Sequence, residues 1–203
     1  MKLYYSDILS AHRACAVARY LNAPVEYIYL DLRNGDQNKP DYLAINPNGK
    51  VPTLVKGKRI TWESDAVICQ LSDDTGAELW PHDARQIEIT RWFSWNAQHF
   101  TRAGGALYFE NIVKKRFGIG AADPAVVDEA LHEFRRYALV LNEHLAGRTW
   151  IVGDSITVAD LSVAMTLPYA RDAQLPLNEF REVRRWYDQI DAIEAWRDPF
   201  PAR

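Results

Sequence analysis

The stretch Ile45–Ala66, INPNGKVPTLVKGKRITWESDA, decides the reading of this chain. It puts Pro52 at the mouth of a β-type run, Thr53-Leu54-Val55. Gly57 within Lys56-Gly57-Lys58 permits a turn, and Arg59-Ile60-Thr61-Trp62 resumes the β pattern, so the two runs predict an antiparallel hairpin. Glu63-Ser64-Asp65 then precedes the apolar series Ala66, Val67, Cys69 and Leu71, which predicts a helix running to Gly76. A proline at a strand start can simply blunt an edge. Alternatively, Val51–Pro52 is cis and leaves the Val51 N–H and C=O free to pair with an extended peptide.

Upstream, Lys2–Ser6 reads as a strand carrying Leu3, Tyr4 and Tyr5. Ala14, Val17, Ala18 and Leu21 recur at helical spacing over Ala11–Leu21, and Asn22-Ala23-Pro24 ends that helix. Val25–Leu32 reads as a second strand. Strand, helix and strand in this span form a βαβ unit with parallel strands. A polar loop, Arg33–Lys39, and a short helix near Asp41–Ala44 lead to the hairpin. This order of elements is that of a thioredoxin-like domain.

Beyond Gly76 the β pattern disappears. Helices are predicted over Asp83–Tyr108, weakened at Gly104-Gly105, and over Pro124–Leu145, Thr157–Tyr169 and Glu179–Ile193. The expected organisation is an α/β thioredoxin-like domain over residues 1–76, a linker over 77–83, and an all-α domain over 84–203. Thr157 and Asp160 are spaced for a capping box, with Ile156 and Leu161 as its hydrophobic staple, a folding element with no chemistry assigned.

The 203 residues carry a net charge of −3, which argues against nucleic acid as the main partner. No apolar run has membrane-spanning length and no signal-peptide pattern follows Met1, so a cytoplasmic address is expected. Cys15 and Cys69 form no Cys-x-x-Cys pair and no histidine is spaced with them for zinc, so no metal is expected and both read as small buried residues.

Three places offer chemistry. Ser64 suits a helix cap; equally, a helix start offers N–H groups to a carboxylate, with Glu63 beside it for an ammonium. Ser10 suits a cap too. It also stands where a thioredoxin-like domain keeps its redox cysteine, in Ser10-Ala11-His12-Arg13, so disulfide exchange is excluded. A hydroxyl there can still hydrogen-bond a bound thiolate, with the helix dipole and Arg13 or His12 lowering the thiol pKa from about 8.5. Tyr5, at a strand end, is either core or a competing hydroxyl for the same thiol.

Taken together, "NPNGKVPTL" (Asn46–Leu54), "WESDAV" (Trp62–Val67) and "GDSITVADL" (Gly153–Leu161), in this order, resemble the cytosolic glutathione transferases over nearly the whole chain. The resemblance implies the glutathione transferase fold, a homodimer, glutathione as co-substrate and a detoxification role. By position it implies that Val51, beside a cis Pro52, pairs with the cysteinyl part of glutathione. Glu63 and Ser64 would bind the γ-glutamyl end, and Lys50 the glycyl carboxylate, with Lys39 a further candidate there. Ser10 falls at the family's catalytic Ser or Cys. Asp65 stands where many members carry a basic residue. The second-substrate pocket is expected near Ile8, Leu9, Trp95, Phe100, Tyr108 and Phe109. The implied reaction is attack of the glutathione thiolate on a hydrophobic electrophile. A glutathione-dependent isomerase, dehalogenase or peroxidase, and a non-catalytic interaction protein on the same scaffold, are the other readings.

Overall fold

The computed structural model describes residues 1–202; the expected end of the helical half at Arg203 lies outside the described residues. The chain divides into two compact units, Met1–Trp80 joined by the segment from Ala192 onward, and Pro81–Asp191.

In the first unit, β1 (Lys2–Tyr5), α1 (Leu9–Tyr20), β2 (Glu26–Tyr29), a short α2 (Pro40–Leu43), β3 (Thr53–Lys56), β4 (Arg59–Trp62) and α3 (Ser64–Thr75) follow in turn. The sheet order is β2-β1-β3-β4. β1 pairs parallel with β2, as a βαβ unit requires. β3 pairs antiparallel with both β1 and β4. Leu3 and Leu54, opposite each other in the β1–β3 register, are fully buried.

α1 is rich in alanine because it is covered on nearly every side: every residue from Ala11 to Ala18 is buried. It packs against α3 and against the terminal turn α10 (Glu194–Arg197). α10 carries Trp196, which is 1% exposed, and Phe200 behind it stacks on Tyr5 with ring centroids 6.1 Å apart. Hence residues from Ala192 onward group with the sheet rather than with residues 84–191, where the helical pattern had placed them. Burial of one tryptophan and one phenylalanine against the first unit supplies the reason.

The second unit opens on a helix that runs past its expected end. α4 (Arg85–Trp95), α5 (Thr101–Tyr108) and α6 (Lys114–Phe117) are joined by π-helical turns at Asn96–Phe100 and Phe109–Val113. The turns are absorbed by i→i+5 bonds such as Thr101 N–H to the Asn96 carbonyl. Gly104-Gly105 does not weaken this helix. A Cβ on Gly104 would lie 2.8 Å from Thr166 Oγ1, so glycine serves close packing there.

α7 (Pro124–His144) starts on Asp123, whose side chain caps Ala125 N–H. α8 (Val158–Val163) begins with the expected capping box between Thr157 and Asp160. Its continuation over Ala164–Tyr169 tightens to a 3₁₀ helix around Pro168, which has no N–H to donate. α9 (Arg181–Asp191) brings Trp186, whose indole N–H donates 2.9 Å to Asp160 Oδ1. Asp160 is fully buried and also accepts from the Ile151 and Thr157 N–H groups, so its charge is satisfied from three separate segments. Among the described residues no helix is long and apolar enough to cross a membrane.

Candidate active site

Both ladders that flank β3 stop at Thr53, so the Val51 backbone lies outside the sheet's hydrogen bonding. The Val51–Pro52 bond is cis. The approach to it is braced from one side. Asn46 is 2% exposed; its Nδ2 donates 2.7 Å to the Lys50 carbonyl and 3.0 Å to Thr53 Oγ1. Tyr42 donates its hydroxyl to the same Lys50 carbonyl at 2.6 Å and lies 2.9 Å from Thr53 Oγ1. Asn46 Oδ1 accepts from the Asn48 N–H at 3.1 Å, which closes the Asn46–Gly49 turn. Gly49 has φ +60, and a Cβ there would lie 3.2 Å from the Gln37 carbonyl oxygen. Only glycine fits that close approach without strain.

A cavity of about 360 Å³ opens beside this loop. It brings together Ser10, Lys50, Val51, Pro52, Glu63 and Ser64, six of the residues singled out in the sequence. Ile8, expected in the second-substrate pocket, lines it too. Leu32, Gln37, Asn46, Asn48 and Gly49 complete the wall, and the sequence had offered no role for them. Gln37 has a buried Oε1 that accepts no hydrogen bond among the described residues.

Neither serine is a helix cap. Ser10 is the second residue of α1, after Leu9, with Ile8 in the cap position, and its hydroxyl donates 2.8 Å to the Val51 carbonyl. Ser64 is the first residue of α3, with Glu63 in the cap position and no side chain capping the helix. The first N–H groups of α3 are therefore without a side-chain acceptor, next to the cavity. Glu63 adopts φ 68, ψ 120, a backbone region costly for any residue but glycine, of order 1–3 kcal/mol.

Ser64 and Asp65 share one partner. Arg13, 6% exposed, donates from Nη2 to Ser64 Oγ at 2.5 Å and from Nη1 to Asp65 at 2.7 Å. The acid at position 65 is thus answered by a guanidinium from α1. Burial pulls the Arg13 pKa down, while Asp65 and Glu63 hold it up. A guanidinium keeps its charge through such shifts.

Other candidates lie elsewhere. Tyr5 is 2% exposed and packs edge-on against Tyr27 and Tyr29; it does not line the cavity. His12 lies 2.8 Å from the Trp196 carbonyl through Nε2, and burial lowers its pKa to about 4, so it is a neutral member of the tail cluster. Lys39 pairs with Asp36 at 2.6 Å and, like Leu9 and Asp65, is not part of the cavity wall. Of the second-unit residues expected around a pocket, Phe100 is fully buried and stacks on Trp95 and Phe134, so it is core. Tyr108 is nearly buried against Tyr169, and Phe109 is exposed.

Comparison with known proteins gives the family. Residues 10–74 match the model for the glutathione S-transferase N-terminal domain, and residues 102–194 that for its C-terminal domain. This chain belongs to the glutathione S-transferase family. It is 30% identical to glutathione S-transferase 3 of Zea mays over 91% of this chain and 86% of that protein. It is 29% identical to glutathione S-transferase GstB of Escherichia coli K12 over 87% and 86% of the two chains. Among solved structures, glutathione transferase F7 of Populus trichocarpa superposes with a TM-score of 0.89 at 21% identity, covering 98% of this chain and 96% of that one. The fold is the glutathione transferase fold, a four-stranded mixed sheet with its helices followed by a helical unit.

Proposed function

We propose that this member of the glutathione S-transferase family binds glutathione in the cavity at Ser10, Val51 and Ser64 and activates its thiol for attack on a hydrophobic electrophile. The convergence of Ser10, Lys50, Val51, Glu63 and Ser64 on one cavity, from three separate segments of the chain, carries this reading.

Glutathione would lie extended beside Val51, its cysteinyl main chain pairing with backbone groups that no strand uses. The γ-glutamyl carboxylate would meet Ser64 and the first N–H groups of α3, at the positive end of that helix's dipole. Glu63, exposed at the cavity rim, would take the γ-glutamyl ammonium. Lys50 would face the glycyl carboxylate, and the Gln37 Oε1 would accept from the ligand nearby. Lys39 would join Lys50 only by leaving Asp36.

The cysteinyl sulfur would then lie by Ser10, whose O–H donates to it and favours the thiolate. That sulfur attacks the electrophilic carbon, a C–S bond forms, and the leaving group departs with its electron pair. With an aryl halide the products are a thioether conjugate and halide. We further propose a homodimer, supported by Ile60 and Trp62, which β4 leaves exposed, and, from the family resemblance alone, a cytoplasmic location.

Turnover of glutathione with an aryl halide, followed by mass spectrometry of the conjugate, tests the reading. The conjugate should form with wild type and at least about tenfold more slowly with Ser10→Ala, the loss expected for one donor to a charged atom. No conjugate and no glutathione binding would refute it.

A further inference from the structure

We propose that Arg13 is a positioning residue for the γ-glutamyl end of glutathione, acting through Ser64 without touching the ligand. The inference rests on the glutathione reading above.

Arg13 is absent from the cavity wall, yet it bonds the one hydroxyl at the α3 end of that wall. A serine hydroxyl has one proton and two lone pairs. With one lone pair taken by the guanidinium at 2.5 Å, the hydroxyl is turned so that its own proton is available to the cavity. Hydrogen bonds in series also polarise one another, so the charged neighbour makes Ser64 a stronger donor. A carboxylate arriving at α3 therefore meets an oriented O–H beside N–H groups that no side chain caps.

Asp65 completes the arrangement. It pairs with Arg13 at 2.7 Å, so the guanidinium is not left as an uncompensated buried charge. It also keeps the acid from repelling a ligand carboxylate. Three consecutive residues thus divide the work: Glu63 at the rim, Ser64 as donor, and Asp65 as counter-ion to the residue that orients the donor. Lysine cannot replace Arg13 in this role, because one ammonium lacks the planar fork that reaches both partners at once.

Calorimetry with two ligands tests the proposal: glutathione, and γ-aminobutyryl-cysteinyl-glycine, which lacks only the γ-glutamyl α-carboxylate. Wild type should bind glutathione about tenfold or more tightly than the analogue, as expected for a charge-assisted hydrogen bond. Arg13→Met should cut that preference at least about threefold by weakening glutathione while the analogue's affinity stays within about twofold, the α3 N–H groups keeping the remainder. Because the single variant leaves Asp65 unpaired, Arg13→Met/Asp65→Asn is the companion: it removes both charges, and the preference should stay reduced. Equal weakening of both ligands, or an undiminished preference in either variant, would overturn the role of Arg13 and leave the glutathione reading standing. Failure of wild type to bind glutathione would overturn both.

Discussion

The Ser10 hydroxyl donates a 2.8 Å hydrogen bond to the carbonyl oxygen of Val51, joining the second residue of α1 to the residue before Pro52. The proposed thiol activator and the proposed main-chain anchor for the ligand are therefore in direct contact. A carbonyl oxygen has two lone pairs, so Val51 can keep Ser10 or take a ligand amide as well. The hydroxyl has a single proton, which must swing from that carbonyl to the sulfur when a thiol arrives.

Removing this donor should show in the pH dependence of turnover. In wild type the kcat profile should rise with an inflection below about 8.5, the ordinary thiol value. Ser10→Ala should move the inflection up by about one unit or more. The loss is then about tenfold per unit at pH 6.5 and shrinks as pH approaches 9, where the thiol ionises without help. An unchanged inflection would assign activation to the α1 helix end instead.

Glu63 holds φ 68 while lying at the cavity rim. Backbone strain at such a position persists when the surrounding structure enforces it. Glu63→Gly should leave stability unchanged or raise it by up to about 2 kcal/mol, since glycine adopts this conformation freely. The same variant should weaken glutathione by about tenfold through loss of the ammonium partner. Thermal melts and calorimetry on one sample check both halves, and a clear loss of stability would contradict the first.

His12 predicts an acid sensitivity of the first unit. Its pKa is about 4 in the fold against 6.5 in a free chain, chiefly through burial, opposed by its bond to the Trp196 carbonyl. The unfolded chain takes up the proton first, so this contribution is complete above pH 6.5 and is lost as pH falls from 6.5 toward 4. The full shift corresponds to about 3 kcal/mol. Urea unfolding at pH 7 and pH 4.5 should show a steeper decline for wild type than for His12→Gln, and parallel declines would contradict it.

The local features were readable from residue chemistry. The hairpin, the parallel β1–β2 pair and the Thr157–Asp160 capping box follow from spacing and turn residues, whereas the residues at Pro52 left edge-blunting and a cis bond both open and only the family resemblance implied the cis form that is found. What escaped depends on residues far apart in sequence. Arg13 and Ser64 meet across 51 positions, and no periodicity announces that contact. Residues from Ala192 onward were expected with the helical half, because two aromatic residues near a chain end do not say which unit they will cover. Ser10 and Ser64 resemble caps in sequence, yet each helix starts before the serine could cap it. Among the aromatic residues expected around a second pocket, Phe100, set among other rings at helical spacing, packs as core.

Binding of glutathione at the α3 end of the cavity can be read from titration calorimetry of wild type beside Ser64→Ala. Wild type should take up one glutathione per chain with saturation, and Ser64→Ala should bind about tenfold more weakly or worse. No saturable binding by wild type, or equal affinity in the two proteins, would contradict it.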